Sequence, residues 1–401
     1  MSSDRVTTWR RVCAALPLLA LLASCADQPD TEPAATQAGK AEPASLQLTS
    51  FDALPGWHDD PVAQAMPALR LQCARLALLP ADTALGGAGL AATYGGMAGQ
   101  WADACAAARA VPSGADAHDF FETWFQPYRA ATDALVTGYF EPLIPGSLKR
   151  FGAYQTPVLG RPADLREGTG RDAQGRPVLG RMEGDTLVPY YTRAEIEAGA
   201  AGDNALPIAW VTSPIDLFFA QIQGSVLLQL PQGGTYRLAF AARNGRAYTP
   251  IGRILEDEHI LAPADVSLQT IRAWLVAHPG DAKKLMDRNE AYVFFRPAPD
   301  SSTRLGPPGA LGVSLTAGRS AAVDKRSVPL GLPLFIATSV PDGRVWQHLV
   351  LAQDLGSAIE GPARVDVYLG AGAPAEAWAG RMHQQGQLWL LLPRPTAGSV
   401  S

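Results

Sequence analysis

The spacing of hydrophobic positions changes along this chain, and each change marks a boundary. An unbroken apolar run fills 14–23, and a polar, proline-bearing stretch without periodicity follows over 26–46. Asp59-Asp60-Pro61 is a helix-start signal, with acidic caps before a proline at the first helical position. Leu69, Cys73, Leu76 and Leu79 then recur at spacings of three and four, which predicts a first helix. A second is expected around Trp101, Ala104, Cys105 and Ala108, and a third over 119–125. From Leu135 onward the pattern predicts strands at 135–140, 210–215, 236–241, 292–296, 334–337, 349–353, 365–369 and 388–392. Only 193–200 and Leu268–Ala277 break this run as helices. No period repeats, which argues against a propeller or solenoid, and many short strands with few helices imply barrels. The loop-like segment 297–308 is a candidate domain crossing.

Composition narrows the class. The chain has 401 residues and is 47% hydrophobic, enough for a real core and far from a disordered polyelectrolyte. Its net charge of −5, with no long basic block in the body, argues against nucleic-acid binding. Glycine (39) and proline (33) supply the turns that many short strands require.

Arg5, Arg10 and Arg11 precede the apolar run, which is about 15 Å long as a helix and too short to span a bilayer. Residues 1–24 therefore read as a signal peptide. The run ends in Leu22-Ala23-Ser24-Cys25, which resembles a bacterial lipobox and makes Cys25 the candidate for lipidation. Ala26 stands where an inner-membrane retention aspartate usually lies, so the outer membrane, periplasmic face, is the expected destination. Residues 25–46 are the lipidated cysteine and a flexible tether. Cys73 and Cys105 lie on the apolar stripes of their helices. In an oxidising compartment they are either a disulfide or two buried thiols.

Nucleotide-binding glycine loops, a GxSxG elbow and HExxH are all missing, and the six histidines are scattered. No metal or organic cofactor is expected. What remains is carboxylates on strands. Asp324, Asp354 and Asp366 each sit in or beside a short strand. Alternation puts Val365, Val367 and Leu369 on one face, with Arg364, Asp366 and Tyr368 on the other. A carboxyl beside an aromatic ring and other carboxyls acquires the raised pKa that a general acid needs. Polar and aromatic runs suited to sugars contain Tyr139 and Glu141, then Gln221, Gln223 and Ser225, then Asn244 and Tyr248. Phe218-Phe219 also reads as core, and Asn244-Gly245 as a hairpin turn.

The ordered segments TGYFEP, DLFFAQIQGS, RNGRAYTPIGR, NEAYVFFR, TAGRSAAVD, VPLGLPL, QDLGSAIEGPARVDVYLG and GRMHQQGQLWLLLP span nearly the whole chain after the tether. Together they resemble the membrane-bound lytic murein transglycosylase A family. The resemblance implies a mainly β architecture, a double-psi β-barrel catalytic domain (47–145 plus 303–398) with a second β-barrel domain (146–302) inserted. The glycan groove would lie between the two. It also implies cleavage of the β-1,4 bond between N-acetylmuramic acid and N-acetylglucosamine in peptidoglycan, with a 1,6-anhydro end. Asp366 maps to the acid/base, with Asp354 and Asp324 supporting it. The sugar-suited residues above become substrate contacts, and a monomer is expected, with cell-wall synthesis or division proteins as candidate partners. Three positions depart from the family pattern: Val226 replaces a glycine, and Ser357 and Glu360 replace a glycine and a lysine in the loop after Asp354. The alternatives are a peptidoglycan-binding lipoprotein without activity and a two-aspartate glycoside hydrolase.

Overall fold

A computed structural model describes residues 45–113, 115–172, 176–298 and 305–394. The leader 1–24, Cys25, the tether up to 44 and the centre of the 297–308 crossing lie outside the described residues.

The first part holds β1 (Leu46–Leu48), α1 (Met66–Leu76), α2 (Gly89–Gly95), α3 (Ala102–Ala110), α4 (His118–Trp124), β2 (Phe125–Ala130) and β3 (Ala134–Glu141). Helix α1 buries Leu69, Cys73 and Leu76 as its periodicity marks, but it ends at Leu76, so Leu79 lies past it in a turn and is half-buried. Its expected cap is displaced. A short 3-10 turn, Val62–Ala65, precedes α1, and Asp60 turns inward. There it takes two hydrogen bonds from Arg319 (2.8 and 2.9 Å) and lies 2.8 Å from His348 Nδ1. A buried guanidinium left unpaired costs ~3–5 kcal/mol, more than the ~1 kcal/mol of a helix cap. Helix α4, expected over 119–125, stops at Trp124 because Phe125 begins β2.

The middle part holds β4 (Leu143–Ser147), β5 (Thr156–Leu159), β6 (Arg166–Arg171), β7 (Pro177–Glu183), β8 (Thr186–Pro189) and α5 (Arg193–Glu197). It continues through β9 (Pro207–Val211), α6 (Pro214–Gln223), β10 (Ser225–Gln229) and β11 (Thr235–Arg243). Helices α7 (Ile251–Asp257), α8 (Leu268–Ala277) and α9 (Pro279–Asp287) precede β12 (Val293–Pro297). Its main sheet runs β12-β11-β10-β4-β9-β5, and a bridge from Gly160 to Phe295 joins the two ends. Strands β6, β7 and β8 form a separate meander.

Helix α6 corrects two expectations at once. The strand expected at 210–215 ends at Val211, and the polar-aromatic run after it is helical. Ser213 accepts a hydrogen bond from the Asp216 N–H, Pro214 opens the helix, and Gly224 closes it at φ +82°. Phe218 and Phe219 are core, packed with Ile251, Leu255 and Leu275.

The last part holds β13 (Ser320–Val323), β14 (Pro333–Ser339), β15 (Val345–Leu355), β16 (Arg364–Ala371), α10 (Gly372–Ala379) and β17 (His383–Pro393). The order β17-β14-β15-β13-β16-β3 closes on itself, because β17 also pairs with β3. Val136, Ala321, Val323, Val350, Val365, Val367 and Leu390 fill this six-stranded barrel's core. Gly138 is required in β3. A Cβ there would stand 2.6 Å from Leu369 and 3.2 Å from the α10 backbone at Ala379.

Candidate active site

Strand register assembles the candidate acids. Asp354 on β15 pairs with Ala322 on β13, Ala322 with Asp366 on β16, and Asp366 with Thr137 on β3. In-register residues share a face, so one row carries Asp354, Ala322, Asp366 and Thr137, with the two acids about 10 Å apart at the backbone.

The register of β15 slips by one residue here. Ala352 pairs with Ala321, yet Asp354 pairs with the next residue, Ala322, which leaves Gln353 as a bulge. Ala352 belongs to the barrel core. Strict alternation would put Asp354 on the same face as Ala352; the bulge turns it to the opposite one. The alternation read from β16 holds as drawn: Val365 and Val367 enter the core, and Asp366 faces away.

The two carboxyls are held differently. Asp354 Oδ2 accepts from the Tyr139 hydroxyl (2.8 Å) and Oδ1 from the Ala310 N–H (2.9 Å). Asp366 Oδ1 accepts from Thr137 Oγ1 at 2.5 Å. Its Oδ2 has no hydrogen bond among the described residues. Both carboxyls are half-buried. Burial raises the pKa of each. For Asp354 the Tyr139 hydroxyl and the Leu355 and Ala310 N–H groups pull the other way. For Asp366 the opposing groups are Thr137 and the Arg364 charge, and the charge of Asp354 raises it further. Asp354 has three donors to its carboxylate and Asp366 one, so hydrogen bonding favours the charged form of Asp354 more than that of Asp366.

Asp324 is placed otherwise. Arg326 grips its carboxylate through Nε and Nη2 (2.6–3.1 Å), and the Gly361 N–H adds a bond of 2.8 Å. These bonds and the Arg326 charge outweigh burial and lower its pKa. The clamp ties the end of β13 to the loop between β15 and β16.

Of the sugar-suited residues, Tyr139 stands in the acid cluster, and Gln223 bonds the backbone of the residue after it. Gln223 Oε1 accepts from the Phe140 N–H at 3.0 Å, while its amide nitrogen has no bond among the described residues. Tyr248 is half-buried, and burial raises its pKa. The others are committed inside the protein. Glu141 is fully buried against Arg237, with two bonds of 2.8 Å, and also accepts from Ser225. Gln221 accepts from Arg193 at 2.5 Å and donates to Val293 O. The Asn244 side chain donates to Tyr191 O and Glu290 O and accepts from the Tyr292 N–H. These four side chains are used as braces, which sequence alone does not distinguish from ligand contacts. Sequence reasoning in turn overlooked Thr137. Its signal was present, since Thr137 and Tyr139 alternate onto one face of β3.

Cys73 and Cys105 form a disulfide between α1 and α3, with Cα atoms 5.3 Å apart. Among the described residues no group of three or more His, Cys, Asp and Glu side chains is placed to hold a metal ion.

Residues 135–296 match the MltA specific insert domain, and 319–392 match the 3D domain. The chain is 31% identical over 272 residues to membrane-bound lytic murein transglycosylase A of Escherichia coli strain K12. That alignment covers 66% of this chain and 67% of the relative. Among solved structures, a membrane-bound lytic murein transglycosylase from Agrobacterium tumefaciens superposes with a TM-score of 0.78 at 33% identity, covering 87% of this chain and 98% of that one. MltA from Neisseria gonorrhoeae gives 0.72 at 31%, covering 90% and 97%. With the barrel, the insert and the paired strand acids already in place, these matches make the chain a member of the membrane-bound lytic murein transglycosylase A family.

Proposed function

We propose that this protein is a peptidoglycan lytic transglycosylase in which Asp366 is the only proton carrier. One observation carries the assignment. Asp366 has a raised pKa and one carboxyl oxygen without a hydrogen bond among the described residues, whereas both oxygens of Asp354 are taken.

In the first step protonated Asp366 donates from Oδ2 to the glycosidic oxygen between N-acetylmuramic acid and N-acetylglucosamine, and the C1–O bond breaks. Thr137 holds Oδ1 and so presents the opposite oxygen to substrate. The resulting carboxylate then removes the proton from the muramyl C6 hydroxyl, whose oxygen closes on C1. The product is the 1,6-anhydro ring, and Asp366 ends protonated again. The attacking hydroxyl belongs to the same sugar, so its effective molarity exceeds that of water. Asp354 acts through its charge and Tyr139 by fixing that charge. Asp324 braces the loop 356–361 that follows β15.

Tyr139, Gln223 and Tyr248 are the substrate contacts that this reading retains. The reaction as written balances without a metal or organic cofactor. The barrel of 47–145 plus 303–398 supplies the acid, and the 146–302 insert supplies the second wall of a glycan groove. Residues 1–24 and Cys25 place the enzyme as a lipoprotein on the periplasmic face of the outer membrane, where the Cys73–Cys105 disulfide is chemically at home. Digestion of purified sacculi with mass analysis of the products tests the reaction. Anhydro-muropeptides lighter by one water than hydrolysis products are expected, and hydrated reducing ends would overturn it.

A further inference from the structure

Helix α1 lies outside the row of acids, yet two of its side chains bond to the residues before Asp354 and after its partner Ala310. Gln72 is wholly buried. Its Nε2 donates to Gly331 O at 2.7 Å, and its Oε1 accepts from Gln353 Nε2 at 3.2 Å. Gln353 is the bulge residue that turns Asp354 onto the site face. Its amide also donates to Ala68 O of α1, and its Oε1 accepts from Ser320 at 2.7 Å. One turn further along α1, Arg75 Nε donates to Leu311 O at 3.3 Å. Leu311 follows Ala310, whose N–H holds Asp354 Oδ1.

Glycines allow these approaches. A Cβ at Gly331 would stand 2.9 Å from Gln72 Nε2, one at Gly312 3.0 Å from Arg75 Nε, and one at Gly309 2.6 Å from Gln353 O. Between Gln72 and Arg75 lies Cys73, whose disulfide to Cys105 fixes α1 to α3. Helix α1 is therefore held on one side by a covalent bond and on the other holds the Gln353 side chain and the loop that bonds Asp354.

We propose that α1 is the positioning element for Asp354, with Gln72 pinning the Gln353 bulge, Arg75 pinning the 309–312 loop, and the Cys73–Cys105 disulfide keeping both in place. The proposal rests on the functional reading above and adds residues that touch neither substrate nor reacting atoms. It makes full activity depend on an oxidising compartment. The charged and titratable groups facing the acid pair are Tyr139 from β3 and Arg364 and Tyr368 from β16. None of them is on α1, so a change in α1 reaches the pair only through Gln353 and Ala310. Weakening the Ala310 bond disfavours the Asp354 carboxylate. Asp366 then feels less negative charge and loses its proton at lower pH.

The test uses the full chain with Arg75→Gln, Gln72→Met and Cys73→Ala/Cys105→Ala. Hydrogen exchange at the Ala310 amide, kcat and KM for anhydro-muropeptide release, its pH profile and thermal unfolding are measured on each. The expected result is faster exchange at Ala310 and a kcat lower by about 2- to 30-fold. KM stays unchanged, and the high-pH limb moves to lower pH. Arg75 is half-buried on the rim of α1, so its variant folds and decides the question if Gln72→Met does not. Thermal destabilisation with kcat, pH limb and Ala310 exchange unmoved would overturn the proposal. If the wild type releases no anhydro-muropeptides, the functional reading falls. Ala310 exchange then decides the positioning role by itself: faster exchange in the variants supports it, and unchanged exchange overturns it.

Discussion

The Tyr139 hydroxyl on β3 reaches Asp354 on β15 across two intervening strands, at 2.8 Å. A tyrosine from the first part of the chain thereby fixes the carboxylate whose charge acts on Asp366, from the last part. The contact exists only because the barrel brings β3 beside β16. Burial and the two acids hold the Tyr139 hydroxyl protonated, so it remains a donor throughout the working pH range.

Asp366→Asn should abolish turnover. The amide keeps the shape but neither gives nor takes the proton, and general acid-base contributions of ~10²–10⁴-fold set the minimum loss. Folding should be unharmed. A carboxyl with a raised folded-state pKa contributes stability below its unfolded pKa and loses it as pH rises through the folded value. The variant should therefore unfold no more easily than wild type at neutral pH. Anhydro-muropeptide release and thermal melts check both parts. Retention of more than about a tenth of wild-type release would move the acid to Asp354.

Asp354→Asn and Arg364→Gln should shift the pH profile in opposite directions. Removing the Asp354 charge lets Asp366 ionise earlier, which moves the high-pH limb down and leaves partial activity. Removing the Arg364 charge takes away a cation that favours the carboxylate, which moves the limb up. Profiles of kcat for both variants measure the signs, and shifts in the same direction would refute the electrostatic assignment.

Tyr139→Phe should resemble Asp354→Asn in direction but be weaker. It removes one donor to the Asp354 carboxylate, and the Ala310 and Leu355 N–H groups remain. The readout is again the high-pH limb, with melting temperature as the control for packing.

Arg237→Met should destabilise without touching the acids. Glu141 would be left buried and unpaired in the wall between β3 and β11, at a cost of ~3–5 kcal/mol. Adding Glu141→Leu should restore most of that loss, since an apolar pair needs no counter-charge. Urea denaturation of the two variants measures the difference.

Cys25→Ser should release the protein from membranes. Among the described residues no helix is long and apolar enough to cross a bilayer. Fractionation of cells expressing the variant checks this. If all of it stays with the outer membrane, a second anchor holds it.

Local signals in the chain were enough for much of this protein. Leu268–Ala277 is helical over the span that its pattern marks, because Ser267 and Thr270 close a capping box within four residues. The face of β16 that carries Asp366 follows from simple alternation, since Val365 and Val367 have one core to enter. The strand character of β3, β11, β14 and β17 was legible for the same reason, although each runs one or more residues beyond its apolar stretch because ladder pairing continues past it. Five of the ten helices among the described residues, α2, α6, α7, α9 and α10, were not expected; their short apolar faces pack against the barrel core, the second core or β3, and periodicity over so few residues is weak. Tertiary structure decided the rest. The side on which Asp354 lies depends on a bulge at Gln353, held by a helix about 280 residues earlier. Asp60 pairs with Arg319 instead of capping α1, because burial makes the ion pair worth more than the cap. Glu141, Gln221, Ser225 and Asn244 are polar side chains near aromatic rings, and only the distant partners that the fold supplies reveal them as internal braces.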